Sequence, residues 1–372
     1  MMQIDNLILF SRENKTSLQK FFGRDFPYAY LLVYQKHKLN AMALLSLESP
    51  IELSHFLKTP ILQLEKIINT PEYKHYVIKK KQGGERHIFA PEEQLMCIQK
   101  RLNYYLQAYY FWIKPHEVKG FVINPHYLGP YCNIVANAEV HVGKNHILTI
   151  DLKDFFPSIS AKQIKKLFMS PYFNYNEQVA NALALLTTYE SMLPTGAPTS
   201  PVLSNFICLA LDASLLDFCC ISGLHYSRYA DDLTFSSDRI IPFDTVLDII
   251  LLIKKNGFEI NQKKLRLQAS NRKQTVTGLT VNEIVNVDRK LLKKIRAMLH
   301  DLILNRLEAA TKRHFKTKEA DARQQRLFLN KLQGYINFVG QVRGTIDLTY
   351  LKFSMSLDLY FISEEMIFQK FK

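Results

Sequence analysis

The chain has 372 residues and a formal net charge of +14, with 48 Lys and Arg against 34 Asp and Glu. Its 47% hydrophobic content excludes general disorder, and the length allows two or three packed subdomains. The positive excess suits a polyanion such as nucleic acid.

No membrane partner is expected, since the most apolar long stretch, Phe206 to Leu224, contains Asp212 and Asp217. The start, Met1-Met2-Gln3-Ile4-Asp5, lacks the basic lead and apolar core of a signal peptide. The five cysteines (97, 132, 208, 219 and 220) show no paired ligand spacing, so a reduced cytoplasmic compartment is expected.

Residues 1–75 read as a helical N-terminal region. Pro50 to Leu57 has the shape of a helix start, with Leu53, Phe56 and Leu57 at helical spacing. From Tyr76 to Pro91, two strands flank Gly83-Gly84, a hairpin with basic residues on both sides. It could close over a triphosphate, with Arg86 offering a planar fork to phosphate oxygens; a plain solvated hairpin would carry the same pattern. A helix from about Glu92 to Phe111 follows, with Leu95, Ile98, Leu102, Tyr105 and Leu106 on one face. Residues 119–146 are rich in turns. His126 and His141 lack the i, i+4 spacing of a tight ligand pair, so His141 reads as structural or RNA-facing.

Ile147 to Ile150 is an apolar strand that ends in Asp151. The turn after it, Leu152 to Pro157, carries Phe155 and Phe156, either core rings or a wall against a nucleotide sugar. Helices are predicted near Lys162 to Met169 and over 176–189, the second with Val179, Leu183, Leu185 and Leu186 for packing. Leu193 to Pro201 is a turn-rich linker. Gly196 in it permits close approach of backbone to a ligand, Thr199 or Ser200 can cap the next helix, and Pro201 suits its first turn. One long helix is then expected, with Leu203, Ile207, Leu211 and Leu215 along a face and Cys219-Cys220 near its end.

Ser227 to Phe235 reads as a short hairpin with Asp231 and Asp232 at its tip. Adjacent Asp residues also occur at ordinary solvent turns. Asp151, a third acid at a strand end, sets this pair apart. Only a tertiary fold can join positions 151 and 231. Carboxylates at strand ends suit divalent metals bound through oxygen. Two metals about 3.5–4 Å apart can clamp an attacking hydroxyl and a leaving phosphate oxygen, which makes nucleic acid the partner.

Beyond the hairpin, Phe243 to Lys255 is helical, Gly257 to Ile260 enters a strand, and Asn261 to Arg266 is basic. Strands around turns are expected over 275–281 and 286–287, then a helix capped by Asp288 that carries Lys293, Lys294 and Arg296. Between Lys263 and Arg326 stand 17 Lys or Arg against 6 Asp or Glu. A surface gripping phosphate backbone explains this asymmetry better than a solvated face. Tyr335, Phe338, Tyr350 and Phe353 read as core residues of later helices.

These residues resemble reverse transcriptases of the right-hand polymerase type. Tyr229-Ala230-Asp231-Asp232 is similar to their YxDD box, Asp151 to the upstream catalytic aspartate, and Leu193 to Pro201 to the LPQG-type segment beside the nucleotide, with Thr195 in place of the usual Gln. Asn137-Ala138-Glu139-Val140-His141 resembles the NAxxH motif, and Val276-Thr277-Gly278 the VTG motif, of the bacterial retron branch. Lys119-Gly120-Phe121 stands where His-Gly-Phe is often seen.

The resemblance implies an α+β right-hand fold with a palm made of an antiparallel sheet backed by helices. The divisions it implies are an N-terminal region at 1–75, fingers with an RNA-recognition segment at 76–146, palm with part of the fingers at 147–284, and a helical basic thumb at 285–372. It implies two Mg²⁺ ions on Asp151, Asp231, Asp232 and the Leu152 carbonyl. Lys80 or Lys81, Arg86, Asp154, Phe156, Thr195, Gly196 and Lys264 would surround the incoming dNTP, and Tyr229 would support the primer. Asn137, His141, Val276, Thr277, Gly278, Lys293, Lys294 and Arg296 would face RNA. The implied function is reverse transcription of a cognate structured noncoding RNA from an internal guanosine 2′-OH. The product is branched multicopy single-stranded DNA, made for antiphage defence alongside an effector protein. No nuclease constellation follows Val287, so trimming by host ribonuclease H is expected. The rivals are a group II intron-like enzyme with 3′-OH priming, a non-catalytic RNA-binding scaffold, and a template-independent, protein-primed polymerase.

Overall fold

The computed structural model describes residues 33–80, 83–123 and 131–370; Lys81 and His126, singled out above, lie outside them. The chain divides into two compact units, residues 1–140 with 145–267, and residues 141–144 with 268–372.

The first unit opens with α1 (Val33–Leu45), α2 (Pro50–Phe56) and α3 (Ile61–Asn69). Ser49 caps α2 by accepting from the Glu52 N–H, and Pro50 occupies the first turn, where its missing N–H costs nothing. β1 (Tyr73–Lys79) and β2 (Glu85–Pro91) pair antiparallel from Tyr73↔Pro91 to Lys79↔Glu85. α4 (Glu93–Ile113) buries Leu95, Ile98, Leu102 and Leu106. The short α5 (Ile134–Glu139) is capped by Asn133.

β3 (His146–Asp151) is the central strand before the turn that carries Phe155 and Phe156. α6 (Ala161–Met169) starts at a reciprocal Ser160–Gln163 capping box. α7 (Glu177–Thr187) buries Val179, Leu183 and Leu186, but Leu185, expected to pack, is 40% exposed.

The single long helix expected after Pro201 is two helices, α8 (Ser200–Ile207) and α9 (Leu209–Ser222), bent by 48°. α8 is buried on nearly every side, from Ser200 through Phe206, whereas α9 buries one stripe, Leu209, Leu211, Asp212, Leu215 and Cys219. The bend lets the first sink into the core and the second lie upon it. Leucine spacing runs unbroken through the joint and hides it. Neither expected cap acts as one: Thr199 makes no capping bond, and the Ser200 hydroxyl donates to the Pro194 carbonyl at 2.7 Å. Cys219 is buried and Cys220 exposed. Among the described residues no single helix is long and apolar enough to cross a membrane; the bent α8–α9 pair has the length and apolarity, yet packs into the core.

β4 (His225–Tyr229) and β5 (Asp232–Ser237) form the expected hairpin, and α10 (Phe243–Lys255) matches its predicted bounds. The expected strand at 257–260 reduces to one bridge, Ile260 with Leu152. A 3-10 turn, Gln262–Lys264, leads into β6 (Arg266–Ala269), and the strand order is β4-β5-β3-β6. Helices α4, α6, α7, α8 and α9 supply much of the core that this sheet shares.

In the second unit, β7 (Thr275–Val276) and β8 (Leu279–Thr280) form a tight hairpin. α11 (Arg289–Phe315) is capped by Asp288 as expected, and is kinked at Arg306, φ 61°. α12 (Ala322–Arg343) and α13 (Leu348–Lys370) complete a bundle of three helices in mutual contact. α12 and α13 approach closely because residue 340 is glycine: a Cβ there would stand 2.6 Å from the Tyr350 ring. Phe353 is buried, while Tyr335, Phe338 and Tyr350 are half-buried.

Candidate active site

Strand register brings the three acids together. Asp151, the last residue of β3, pairs directly with Asp232, the first of β5. Tyr229 of β4 pairs with the same Asp232, which leaves Ala230 and Asp231 as the two-residue turn. Ala230 takes φ 60°, in the left-handed region. The Asp231 carbonyl accepts from the Leu152 N–H at 3.0 Å, and the Asp151 carbonyl from the Asn261 N–H at 2.8 Å. The acids therefore stand on one backbone framework at the end of adjacent strands.

Desolvation by the surrounding protein, followed by the neighbouring Asp231 and Asp151 charges, pushes Asp232 up to about 6. Part of Asp232 remains open to solvent, but the walls around it still strip hydration from the carboxylate. Desolvation and the Asp151 charge also raise Asp231, opposed by its own backbone hydrogen bond and by Lys264 and Arg86. Lys264 forms an ion pair with Asp151 Oδ1, and that hydrogen bond raises the lysine in turn.

Among the described residues, no three Asp, Glu, His or Cys side chains are gathered into a ready-made metal cage. Asp151 instead turns one oxygen to Lys264. The donor type fits a divalent ion, since carboxylate oxygens that repel one another and already draw one cation are the ligands such an ion takes, but Asp151 would have to exchange Lys264 for it.

A cavity of about 830 Å³ opens over Asp151 and Asp231, with Asp232 outside its lining. Of the residues predicted to meet a nucleotide, Lys80, Arg86, Asp154, Phe156, Thr195 and Lys264 line it, together with Asp151, Leu152 and Asp231. Phe156 is half-buried at its wall and stacks on Phe121 at 5.8 Å, whereas Phe155 is buried and packs on Phe258. Asp154 takes φ 46°. Gly196 serves the hairpin: at φ +124° its absent Cβ would meet Ile88 Cγ2 at 2.8 Å and the Phe89 carbonyl oxygen at 3.0 Å. The neighbouring Thr195 carbonyl accepts from the Phe89 N–H at 2.8 Å, fixing β2 to this loop. Tyr229 ends β4 half-buried beside the turn.

Sequence reasoning gave no role to the support beneath the turn, which comprises Arg228, Asp212, Asn205 and Gly120. A signal was present: a carboxylate on the apolar stripe of a helix, such as Asp212, must find a partner when buried. Arg228 is that partner, at 2.7 Å.

Of the expected RNA-facing residues, Asn137 is fully buried on α5, and its amide atoms have no hydrogen-bond partner. His141 is buried too, at the start of the short segment belonging to the second unit. There the Gly143 N–H donates to the Val281 carbonyl at 3.0 Å, and Gln274 donates to the Lys144 carbonyl at 2.9 Å. The segment that follows the NAxxH motif is thus stitched to the hairpin carrying Val276, Thr277 and Gly278. Thr277 and Gly278 form its two-residue turn with φ 47° and 83°, as a type I′ hairpin requires; a β-branched residue is strained there. Lys293, Lys294 and Arg296 are exposed on α11. Two of them also meet aromatic rings: Lys294 donates to the Tyr335 hydroxyl at 3.1 Å, and Arg296 lies 5.9 Å from the centre of Phe353.

Residues 78–281 match the family model described as reverse transcriptase (RNA-dependent DNA polymerase). The chain is 32% identical over 278 residues to the retron Ec86 reverse transcriptase of Escherichia coli, covering 71% of this chain and 82% of that protein. It is 34% identical over 249 residues to the retron Mx65 reverse transcriptase of Myxococcus xanthus, covering 61% of this chain and 56% of that protein. A solved structure of telomerase from Candida albicans superposes with a TM-score of 0.44 at 12% identity, over 80% of this chain and 65% of that one, too loosely to bear on the assignment. Reverse transcriptases generally use divalent metal ions. With the strand-end acids in place and the family match spanning them, the chain belongs to the reverse transcriptase family, in its retron branch and with its α+β right-hand polymerase fold, and is an RNA-directed DNA polymerase with nucleic-acid partners.

Proposed function

We propose that this polymerase copies a cognate structured noncoding RNA, beginning at an internal guanosine 2′-OH of that RNA. The product is a branched, multicopy single-stranded DNA joined to RNA. The observation that carries the reading is the hydrogen-bonded union of the segment after His141 with the Val276–Gly278 hairpin. It supports a dedicated RNA-recognition surface, which an enzyme that must orient one internal hydroxyl requires.

In this reading residues 76–146 are fingers with an RNA-recognition segment, 147–284 palm with part of the fingers, and 285–372 thumb. Asp151, Asp231, Asp232 and the Leu152 carbonyl would hold two Mg²⁺. Ions bound there would lower the pKa of the attacking hydroxyl and neutralise the leaving pyrophosphate. Arg86 and Lys80 clamp the triphosphate of a dNTP, with the Asp154 backbone and the Thr195–Gly196 loop nearby. Lys264 pairs with Asp151 here; ions bound at Asp151 would compete for that carboxylate and leave the lysine available to the leaving group. Phe156 walls the sugar and Tyr229 supports the primer end. Thr277, Gly278, Lys293, Lys294 and Arg296 engage the RNA, and the buried Asn137, His141 and Val276 support the segments that carry the recognition surface from within. The enzyme works in the cytoplasm with a separate effector protein in antiphage defence, and host ribonuclease H trims the RNA.

The test is to purify DNA from cells expressing the native locus, digest the RNA, and treat the remnant with a 2′–5′ debranching enzyme. Release of DNA with a free 5′-phosphate is expected. DNA joined to RNA only through 3′–5′ junctions, made with the native RNA present, would move the chain to intron-like priming.

A further inference from the structure

Beneath the catalytic hairpin lies a buried polar network that the chemistry above leaves without a task. The side chains of Arg228 and Asp212 are both fully buried. The guanidinium donates from Nε to Asp212 Oδ1 at 2.8 Å and from Nη2 to Oδ2 at 2.7 Å, a bidentate fork. Its remaining edge faces the turn: Nη1 donates to Asn205 Oδ1 at 2.9 Å and to the Ala230 carbonyl at 3.1 Å. Tyr226 donates its hydroxyl to Asp212 Oδ1 at 2.8 Å, and Asn205 donates to the Gly120 carbonyl at 3.0 Å.

Ala230 links this network to the site. Its left-handed conformation, φ 60°, is disfavoured for a residue with a Cβ. Asp231 lies between two peptide groups. The oxygen of the first, from Ala230, is held by Arg228, and the oxygen of the second, from Asp231 itself, by the Leu152 N–H. With both peptide planes tied to different elements, the Cα–Cβ direction of Asp231 is fixed, and with it the place of its carboxylate. A buried ion pair contributes little stability beyond apolar residues of the same volume. Fold stability alone does not account for a fork aimed at the turn.

We infer that the Arg228–Asp212 pair is a positioning device that sets where the Asp231 carboxylate stands relative to Asp151. The inference rests on the metal role proposed for Asp231.

The test replaces the pair by apolar residues of similar size, Arg228→Met with Asp212→Leu. Beside it stand Arg228→Lys, which keeps the charge but cannot span the acceptors, and Asp231→Asn as the benchmark for metal binding. Melting temperature, RNA affinity, kcat and KM for dNTP are measured, and Mn²⁺ binding is followed by electron paramagnetic resonance. The double variant melts and binds RNA like the parent. Its kcat falls about 10²-fold, the cost of a misplacement near 1 Å, while KM stays close to parental and Mn²⁺ binding weakens. Arg228→Lys shifts the same readouts in the same direction. A folded double variant with parental kcat and Mn²⁺ binding overturns the inference. If neither variant folds, the pair is a folding element and a separable positioning role is overturned. Parental synthesis by Asp231→Asn is a distinct result that removes the metal reading, and the inference with it.

Discussion

Asp151 and Asp232 face each other directly across the β3–β5 pair, an arrangement that is destabilising for like charges and that the Lys264–Asp151 ion pair offsets only in part. Asp232→Asn relieves that repulsion and removes a donor for the cation. The variant is expected to melt slightly higher than the parent in chelator, to lose this advantage in millimolar Mg²⁺, and to make no DNA while binding RNA normally. Thermal melts with and without Mg²⁺, run beside dNTP incorporation, check all three. Asp151→Asn and Asp231→Asn should likewise abolish synthesis and spare RNA binding; synthesis near the parental rate would remove the metal assignment.

Both rings line the cavity, but Phe156 is half-buried and Phe155 almost wholly buried against Phe258. Phe156→Ala should therefore admit ribonucleotides more readily, because a ring beside the sugar excludes a 2′-OH by contact. Incorporation of dNTP and rNTP opposite one template base gives the ratio. An unchanged ratio would place the sugar gate elsewhere.

Gly120 lies under the Ala230–Asp231 turn, where a Cβ would stand 2.3 Å from the Ala230 nitrogen. The obstacle is backbone, so it cannot step aside as a flexible side chain could. Gly120→Ala should cost about 1–3 kcal/mol of stability and depress polymerisation more than RNA binding. Denaturant melts beside single-turnover incorporation separate the effects, and parental activity in the variant would show that the turn tolerates displacement.

Replacing Lys293, Lys294 and Arg296 together with Gln should weaken RNA binding and flatten its salt dependence, by roughly 0.7–0.9 in the log–log slope for each phosphate no longer neutralised. Since Lys294 and Arg296 also touch Tyr335 and Phe353, Lys293→Gln alone is the cleaner measurement. It should change the slope with no change in melting temperature. A slope that stays put in both variants means a solvated face.

The β4–β5 hairpin, the β1–β2 hairpin, α10 and the Asp288 cap were legible in the sequence because each is specified locally, by alternation, turn residues or a capping side chain. The pairing of Asp151 with Asp232 could be anticipated only as a need, since register between strands distant in sequence is a tertiary property. The break at Cys208 left no mark, because the leucine spacing of α8 continues into α9. Thr199 and Ser200 are both good capping residues, yet a buried helix start offers other acceptors, and Ser200 took the Pro194 carbonyl. Gly196 was read as room for a ligand; the space it leaves is filled by Ile88 and Phe89. Arg228 stands inside the most telling stretch of the chain, but its role depends on Asp212 and Asn205, which no local pattern joins to it.

The dependence of the Asp231 turn on Gly120, Asn205 and Asp212 bears on protein engineering. These residues come from a loop before β3 and from both halves of the bent helix pair. The β4–β5 hairpin is consequently not a portable cassette. A chimaera that receives it from a relative with different residues at 120, 205, 212 and 228 would inherit the acids without the cradle that aims them, and recombination libraries should exchange those four positions together.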